Sequence, residues 1–412
     1  MSLRHHPDFR RLWVGDTIAQ FGTAVGNIVL PLLAVGLLNA SAFEMGVLTA
    51  AESAAFLLLG LPAGAWVDRV RRRPLMIRMD LARAALLLTV PVAWWLGALT
   101  FTHLVLVALL VGTCTVFFDV GYQSYLPSLV GREHLVEGNA KLQASHSVAH
   151  TAGPALGGGA AQLLGAASAL VTTGFGYLAS ALFLSRITAV EPEPVRPEVR
   201  NLRAEVLEGL RFVLGNRYLR SIVACTGTWN LFGSVNTAVL VLFLIDHVGL
   251  TEGAVGLVVG LAGVGGILGA LVAGRVGRVV GQARTIWLVP VLSAPFSLLF
   301  PLAAPGWPLV VAVAGFVGVQ MAGVVYNVAQ VSFRQSICPD HLLGRMNASV
   351  RFIVWGTLPL GGLLGGTLGT WLGIRTTVWV AAFGCAAAAL WVVLSPLRKL
   401  RDLPDPEPAT AV

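Results

Sequence analysis

Gly60-Leu-Pro-Ala-Gly64-Ala-Trp-Val-Asp68-Arg69-Val-Arg71-Arg72-Arg73-Pro74 closes one apolar run and opens the next. An acid and a block of arginines between two such runs read as a tight charged turn joining two membrane-spanning helices. The composition points the same way. The 412 residues are 56 % hydrophobic and 12 % charged, with a mean hydropathy of +0.78. A soluble domain carries about 25 % charged residues, so this chain has too few charges to cover a water-facing surface, and its solvent is lipid. A spanning helix takes about 20 mostly apolar residues. With turns, the chain holds about twelve of them, which predicts an all-α membrane protein.

Working outward from the turn, the expected helices lie at about 12–38, 44–66, 74–97 and 103–125. Helices 5 and 6 share the uncharged run from Leu142 to Ser185, broken near Gly165. Then the composition changes. Glu191 to Arg200 is a proline-rich charged linker, followed by an amphipathic piece over 202–214 with Leu202, Val206, Leu210 and Val213 on one stripe. Six more helices are expected at about 219–246, 252–274, 284–304, 308–332, 346–370 and 375–396. The expected domains are a six-helix bundle over 1–190, a cytoplasmic linker with an amphipathic helix over 191–217, a second six-helix bundle over 218–397, and a disordered tail over 398–412.

With both termini placed in the cytoplasm, every Arg and Lys except Arg375 falls in a cytoplasmic segment or an adjoining helix end. This satisfies the positive-inside rule. It also accounts for the net charge of +8 as an orientation signal facing an anionic leaflet, and no nucleic-acid partner is expected. The N-terminus runs from basic residues straight into a long apolar run, so helix 1 is expected to be retained. Cys114, Cys225, Cys338 and Cys385 lie far apart, without disulfide or metal spacing. His146 and His150 are spaced i, i+4 with no third ligand nearby. No Walker-type sequence is present. No metal, cofactor or ATP hydrolysis is expected.

The halves resemble each other. Gln20-Phe21-Gly22-Thr23 aligns with Leu231-Phe232-Gly233-Ser234, Arg69 with Arg278, Asn139-Ala140 with Asn347-Ala348, Gly153 with Gly361, and Gly157-Gly158 with Gly365-Gly366, all at nearly one offset. Gly277 stands where Asp68 would repeat.

Polar residues inside apolar runs mark function, because lipid tolerates them only against protein or a wet cavity. Asp16, Gln20, Thr23 and Asn27 share one face of helix 1. Glu52 in helix 2 has no basic neighbour in sequence, and Asp119 sits towards the cytoplasmic end of helix 4. A carboxyl group taken out of water favours its neutral form, so Glu52, Asp16 and Asp119 are candidates for binding and releasing a proton. The plainer reading of Glu52 is a hydrogen-bonded acid facing another helix, that of Asp16 a wetted helix end, and that of Asp119 an ion pair with the turn arginines. Asp80 and Arg83, one helical turn apart, read as a local pair. Helix 10 carries a stripe of Gln320, Gly323, Asn327 and Gln330, and helix 7 offers Asn230, Ser234 and Thr237. Trp229 and Trp355 could supply stacking surfaces or plain packing.

The spacing Gly64-x-x-x-Asp68-Arg69-x-x-Arg72-Arg73 resembles the loop between helices 2 and 3 of the major facilitator superfamily of secondary transporters, with Arg71 where the family usually has Gly. Gly153-Pro154-x-x-Gly157-Gly158 resembles the antiporter signature of its export-type members, although small residues and a proline also serve close helix packing. Leu48 to Arg73, Phe118 to Asn139, and Asn327 to Val350 are similar to a bacterial exporter branch that includes the enterobactin exporter and macrolide-efflux relatives. Helix 4 lacks the arginine usual in drug antiporters. The resemblance implies twelve helices in two pseudo-symmetric halves. It implies that Gly64, Asp68, Arg69, Arg72 and Arg73 lock the cytoplasmic face, with Asp68 near the start of helix 11 and the arginines reaching acids such as Asp119. It implies a central cavity drawing on Gln20, Asn27, Trp229, Asn230, Gln320 and Asn327. The function so implied is export of a small amphipathic molecule by alternating access with proton antiport, by a monomer in the cytoplasmic membrane. An importer of the same fold is the alternative, and a non-transporting receptor or enzyme is remote.

Overall fold

The computed structural model describes Leu3 and residues 6–67, 69–131, 134–189, 191, 202–339 and 342–402. The first half is α1 (Pro7–Leu38), α2 (Ala42–Val67), α3 (Arg72–Trp95), α4 (Phe101–Val130), α5 (Leu135–Leu164) and α6 (Ala166–Ser185). The linker helix α7 (Leu202–Gly215) follows. The second half is α8 (Arg217–Leu242), α9 (Glu252–Val280), α10 (Gln282–Ser297), α11 (Trp307–Ser336), α12 (Leu343–Leu372), and a last span divided at Ala388 into α13 (Ile374–Ala387) and α14 (Ala389–Val393). The expected helices 7 to 12 are therefore α8 to α14.

Among the described residues, ten helices are long and apolar enough to cross a membrane. The other two, α3 and α5, are 24 and 30 residues long. Arg72, Arg73, Arg78, Asp80 and Arg83 lower the hydropathy of α3, and Glu137, Lys141, His146 and His150 that of α5.

The helices start where side chains can satisfy free backbone N–H groups. Ser41 and Glu44 form a reciprocal box at α2, with the Ser41 N–H donating to Glu44 Oε2 at 2.8 Å. Asn216 Oδ1 accepts from the N–H groups of Tyr218 and Leu219 at α8. His6 Nδ1 accepts from the Phe9 N–H at 3.1 Å, with Pro7 at the first position. That cap makes the basic arm part of α1, which starts at Pro7 rather than near residue 12. At one end of the bundle every turn between spans holds a left-handed residue, namely Asn39, Gly97, Gly165, Gly249, Gly306 or Gly373. Gly165 shows the use of it. At φ 82° it reverses the chain between α5 and α6 in a single residue, where a side chain would be strained. This is called the far end below. The opposite, terminal end carries Pro7, the arginine turn and the linker.

The sequence repeat is a repeat of contacts. A Cβ on Gly153 or Gly157 would lie 2.4 Å from Ala24 Cβ or 2.7 Å from Ile28, so α5 presses on α1. A Cβ on Gly361 or Gly365 would lie 2.3 Å from the Leu231 carbonyl or 2.7 Å from that of Val235, so α12 presses on α8 in the same way. Neighbouring glycines join the halves. Gly158 meets Gly256 of α9, and Gly366 meets Gly46 of α2. Small residues let helix backbones close where lipid offers no hydrophobic drive.

The cores differ at the two ends. Towards the far end one apolar cluster runs through both halves, from Leu33 of α1 and Met45 of α2 to Val239 of α8 and Val255 of α9. Towards the terminal end the cores are separate. One holds Phe9, Met76, Tyr125 and Leu184 of the first half. Two others hold Ile222, Phe333 and Val392, and Val213, Met346 and Val350, all after the first half.

The tail departs from expectation. Residues 398–402 were expected to be disordered, but Leu397 is fully buried and the Arg401 carbonyl accepts from the Arg284 N–H at 3.2 Å at the start of α10. One buried leucine and one backbone bond tie the chain there. Residues 192–201 of the linker and 403–412 of the tail lie outside the described residues.

Candidate functional site: two polar cavities inside the bundle

The polar stripe of α1 turns inward. Asp16 is buried, and Gln20 Nε2 lies 3.4 Å from its Oδ1. Both line a cavity of about 550 Å³ with Tyr122 of α4 and Asn139, Gln143 and His146 of α5. Thr23, on the same stripe, pairs with the Tyr177 hydroxyl of α6 at 3.0 Å. Asn27 is exposed and lines neither cavity. The α5 contribution was missed in the sequence, although Asn139, Gln143 and His146 follow the same i, i+4, i+7 pattern that revealed the α1 stripe.

A second cavity of about 330 Å³ lies between α8, α10 and α11. It unites Trp229, Asn230, Gln320 and Asn327, four of the six expected cavity residues, and adds Thr226 and Tyr326. The rest of the two expected stripes turns elsewhere. Gln330 is buried and donates to Asn327 Oδ1 at 2.9 Å. The Ser234 hydroxyl donates to the Leu358 carbonyl at 2.6 Å, joining α8 to α12. Thr237 bonds its own helix at the Gly233 carbonyl. Trp355 packs edge-on against Phe56 of α2 at 4.9 Å, a contact between halves.

The acids separate by environment. Glu52 is half-buried, and its carboxyl makes no hydrogen bond among the described residues. Its backbone carbonyl lies where α2 meets Gly112 of α4. Asp119 is within electrostatic reach of Arg83 and Arg351. Asp80 and Arg83 form a buried pair, as the spacing suggested. The Arg83 guanidinium is held between the rings of Phe118 and Tyr177, 4.3 and 4.2 Å from their centroids. Among the described residues, Asp80 Oδ2 and Arg83 Nε make no hydrogen bond.

The signature turn is only partly described. Asp68 lies outside the described residues, and Gly64 falls within α2. Arg69 is exposed. Arg73 does not reach Asp119 as expected: its guanidinium donates to the carbonyls of Leu184 and Ser185 at the end of α6. Glu191 accepts from the N–H groups of Arg72 and Arg73 at 2.7 and 3.1 Å. The positive end of α3 therefore has a carboxylate from the chain after α6. Asp8 does the corresponding work nearby, accepting from the N–H groups of Thr188 and Ala189 at 3.1 and 2.9 Å. Neither acid was singled out in the sequence, because only the fold brings residues some 120 to 180 positions apart together. The start of α12, expected to receive Asp68, is faced by α7. Glu208 pairs with Arg345, and a Cβ on Gly209 would lie 2.6 Å from the Arg345 carbonyl.

A family profile described as transmembrane secretion effector matches residues 2–409. The chain belongs to this family of the major facilitator superfamily. Among curated proteins it is 26 % identical to the multidrug efflux pump Tap of Mycolicibacterium fortuitum, over 89 % of this chain and 90 % of that one. It is 24 % identical to the enterobactin exporter EntS of Escherichia coli, over 98 % of this chain and 95 % of that one. Among solved structures, the nucleoside transporter NupG superposes with a TM-score of 0.72 at 13 % identity, over 94 % and 98 % of the two chains. An inward-facing bacterial homologue of the iron transporter ferroportin superposes with 0.74 at 15 % identity, over 94 % and 98 %. These likenesses establish the twelve-helix, two-half transporter fold. The protein is a multi-pass membrane transporter of the exporter branch.

Proposed function

We propose that this transporter exports a small amphipathic molecule across the cytoplasmic membrane by alternating access, driven by proton antiport. The observation that carries the reading is the asymmetry of the core. One cluster seals the far end across both halves, and separate clusters flank the polar cavities towards the terminal end. With both termini in the cytoplasm, as the arginine distribution asks, this is an inward-open state ready to load from the cell. The working bodies are 1–190 and 218–397, tied by 191–217, and a single chain suffices.

Rocking would close the terminal end and part the glycine contacts of α2 with α12 and of α5 with α9. Asp16 sits in a cavity that such closure would dry. Burying an uncompensated carboxylate costs several kcal/mol, so closing is easier when Asp16 holds a proton or faces a cation. That preference ties the proton to the motion. Glu52 and Asp119 are the other acids placed to contribute.

Efflux from cells lacking their own pumps tests this with a panel of dyes, macrolides and siderophores. Protein-dependent efflux is expected to collapse when a protonophore is added, and Asp16→Asn is expected to slow it at least about tenfold, the loss of about 1.4 kcal/mol of coupling. Efflux that persists without the proton gradient would sink the antiport reading, and faster accumulation would sink export.

A further inference from the structure

The two cavities differ in chemistry, and the difference bears on what the transporter carries. This step rests on reading the chain as a transporter. Among the described residues, no charged side chain lines the cavity between α8, α10 and α11. At about 330 Å³ it is at the lower end of the range for small-ligand pockets, enough for one ring system and its substituents. Trp229 and Tyr326 give it aromatic surface. The Tyr326 hydroxyl is paired with Thr226 at 2.9 Å, which fixes the ring. The three amides present hydrogen-bonding capacity that the protein leaves open. Asn230 donates to the Val354 carbonyl at 3.2 Å, so its own oxygen is free to accept. Asn327 Oδ1 is taken by Gln330, which leaves its amide N–H groups to donate. Gln320 is exposed and makes no hydrogen bond among the described residues. Open amides inside a membrane bundle call for water or cargo.

The acid cavity has the opposite sign to an anion site. Asp16 lines it, and among the described residues no arginine or lysine does. The nearby arginines lie outside both cavities. Arg83 is paired with Asp80 between two rings. Arg351 lies over Trp355 at 5.3 Å. Arg334, two turns along α11 from Asn327, does not line the cavity, and its buried Nε makes no hydrogen bond among the described residues. An anion entering would give up its hydration without a lining cation to meet it and would face Asp16, a loss that desolvated like charges make large.

We propose that the cavity between α8, α10 and α11 is a subsite for an uncharged, ring-bearing, hydrogen-bonding group, and that the cargo is a neutral or cationic amphiphile rather than an anionic chelator. The test uses the full-length protein in detergent and three fluorescent probes sharing one ring: dansylcadaverine, which is cationic, dansylamide, which is neutral, and dansylglycine, which is anionic. Saturable binding of the first two is expected, with dansylglycine at least about tenfold weaker. Trp229→Leu is expected to weaken both cationic and neutral probes about tenfold, the equivalent of about 1.4 kcal/mol. Gln320→Leu, at an exposed position that folding does not depend on, is expected to weaken them in the same direction. Asp16→Asn is expected to reduce the preference for the cationic over the neutral probe. Dansylglycine binding as tightly as dansylcadaverine would overturn the proposal. So would an absence of saturable binding by all three probes, or unchanged binding in both Trp229→Leu and Gln320→Leu. Because the assay needs no gradient, lost efflux with this selectivity intact counts against the proton drive and leaves the subsite standing.

Discussion

The Asp80–Arg83 pair is the most committed charge in the protein. Both residues are at most 4 % exposed, so removing one partner leaves a buried charge without its ion-pair partner. Breaking such a pair costs about 3–5 kcal/mol, whereas replacing both partners by apolar groups can be nearly neutral. Arg83→Leu and Asp80→Asn are therefore each expected to lower the thermal stability of the detergent-solubilised protein strongly. The double variant Asp80→Asn/Arg83→Leu is expected to recover part of the loss, and additive losses would show that the two residues act independently. The i, i+3 spacing made the pair legible in the sequence. Its setting was not, because Phe118 and Tyr177 come from α4 and α6 and reach Arg83 only through packing.

At the scale of elements, two glycine contacts hold the far end shut. A Cβ on Gly158 would lie 2.8 Å from Gly256 Cα, and one on Gly46 would lie 2.6 Å from the Gly362 carbonyl. These neighbours are backbone, which cannot swing aside. Gly158→Leu and Gly46→Leu are expected to part the far end and favour the outward-open state. Spin labels at Ser41→Cys and Arg375→Cys, in a background without the four native cysteines, should report a longer mean distance in either variant. An unchanged distance distribution would remove these glycines from the gate. The linker helix offers a parallel test at the other end. Gly209→Leu is expected to lift α7 from α12 and to speed proteolysis of the linker, because the Arg345 carbonyl and Ser349 Oγ already occupy the space at 2.6 and 2.4 Å. Glu208→Gln, which removes only an exposed ion pair, is expected to change it little, since such pairs contribute about 0–1 kcal/mol.

Across the whole molecule, the chain is two copies of one packing scheme joined asymmetrically. In each half the fifth helix uses one face to grip the first and the other face to meet the opposite half. The two-fold likeness explains how one set of contacts can be made at one end and released at the other. Cross-linking across the far end, for example between Ser41→Cys and Arg375→Cys, is expected to abolish efflux and to leave dansylamide binding in place, because in the proposed inward-open state cargo reaches the cavities from the terminal end. Loss of that binding on cross-linking would argue that the cargo enters from the far side.

The sequence alone determined the solvent, the number and approximate positions of the spans, the repeat and the stripes, because hydropathy and a period of 3.6 are local properties written along the chain. It also found four of the residues that meet in the uncharged cavity, since polar residues in an apolar run stand out. Tertiary structure decided which of them share a cavity. Gln320 and Asn327 line the cavity, whereas Gln330 on the same stripe is buried in the protein. It decided that Arg73 holds the end of α6 instead of Asp119, and that Glu191 and Asp8 clasp the terminal end of the first half. Those pairings depend on distances between residues more than a hundred positions apart, and only packing sets such distances.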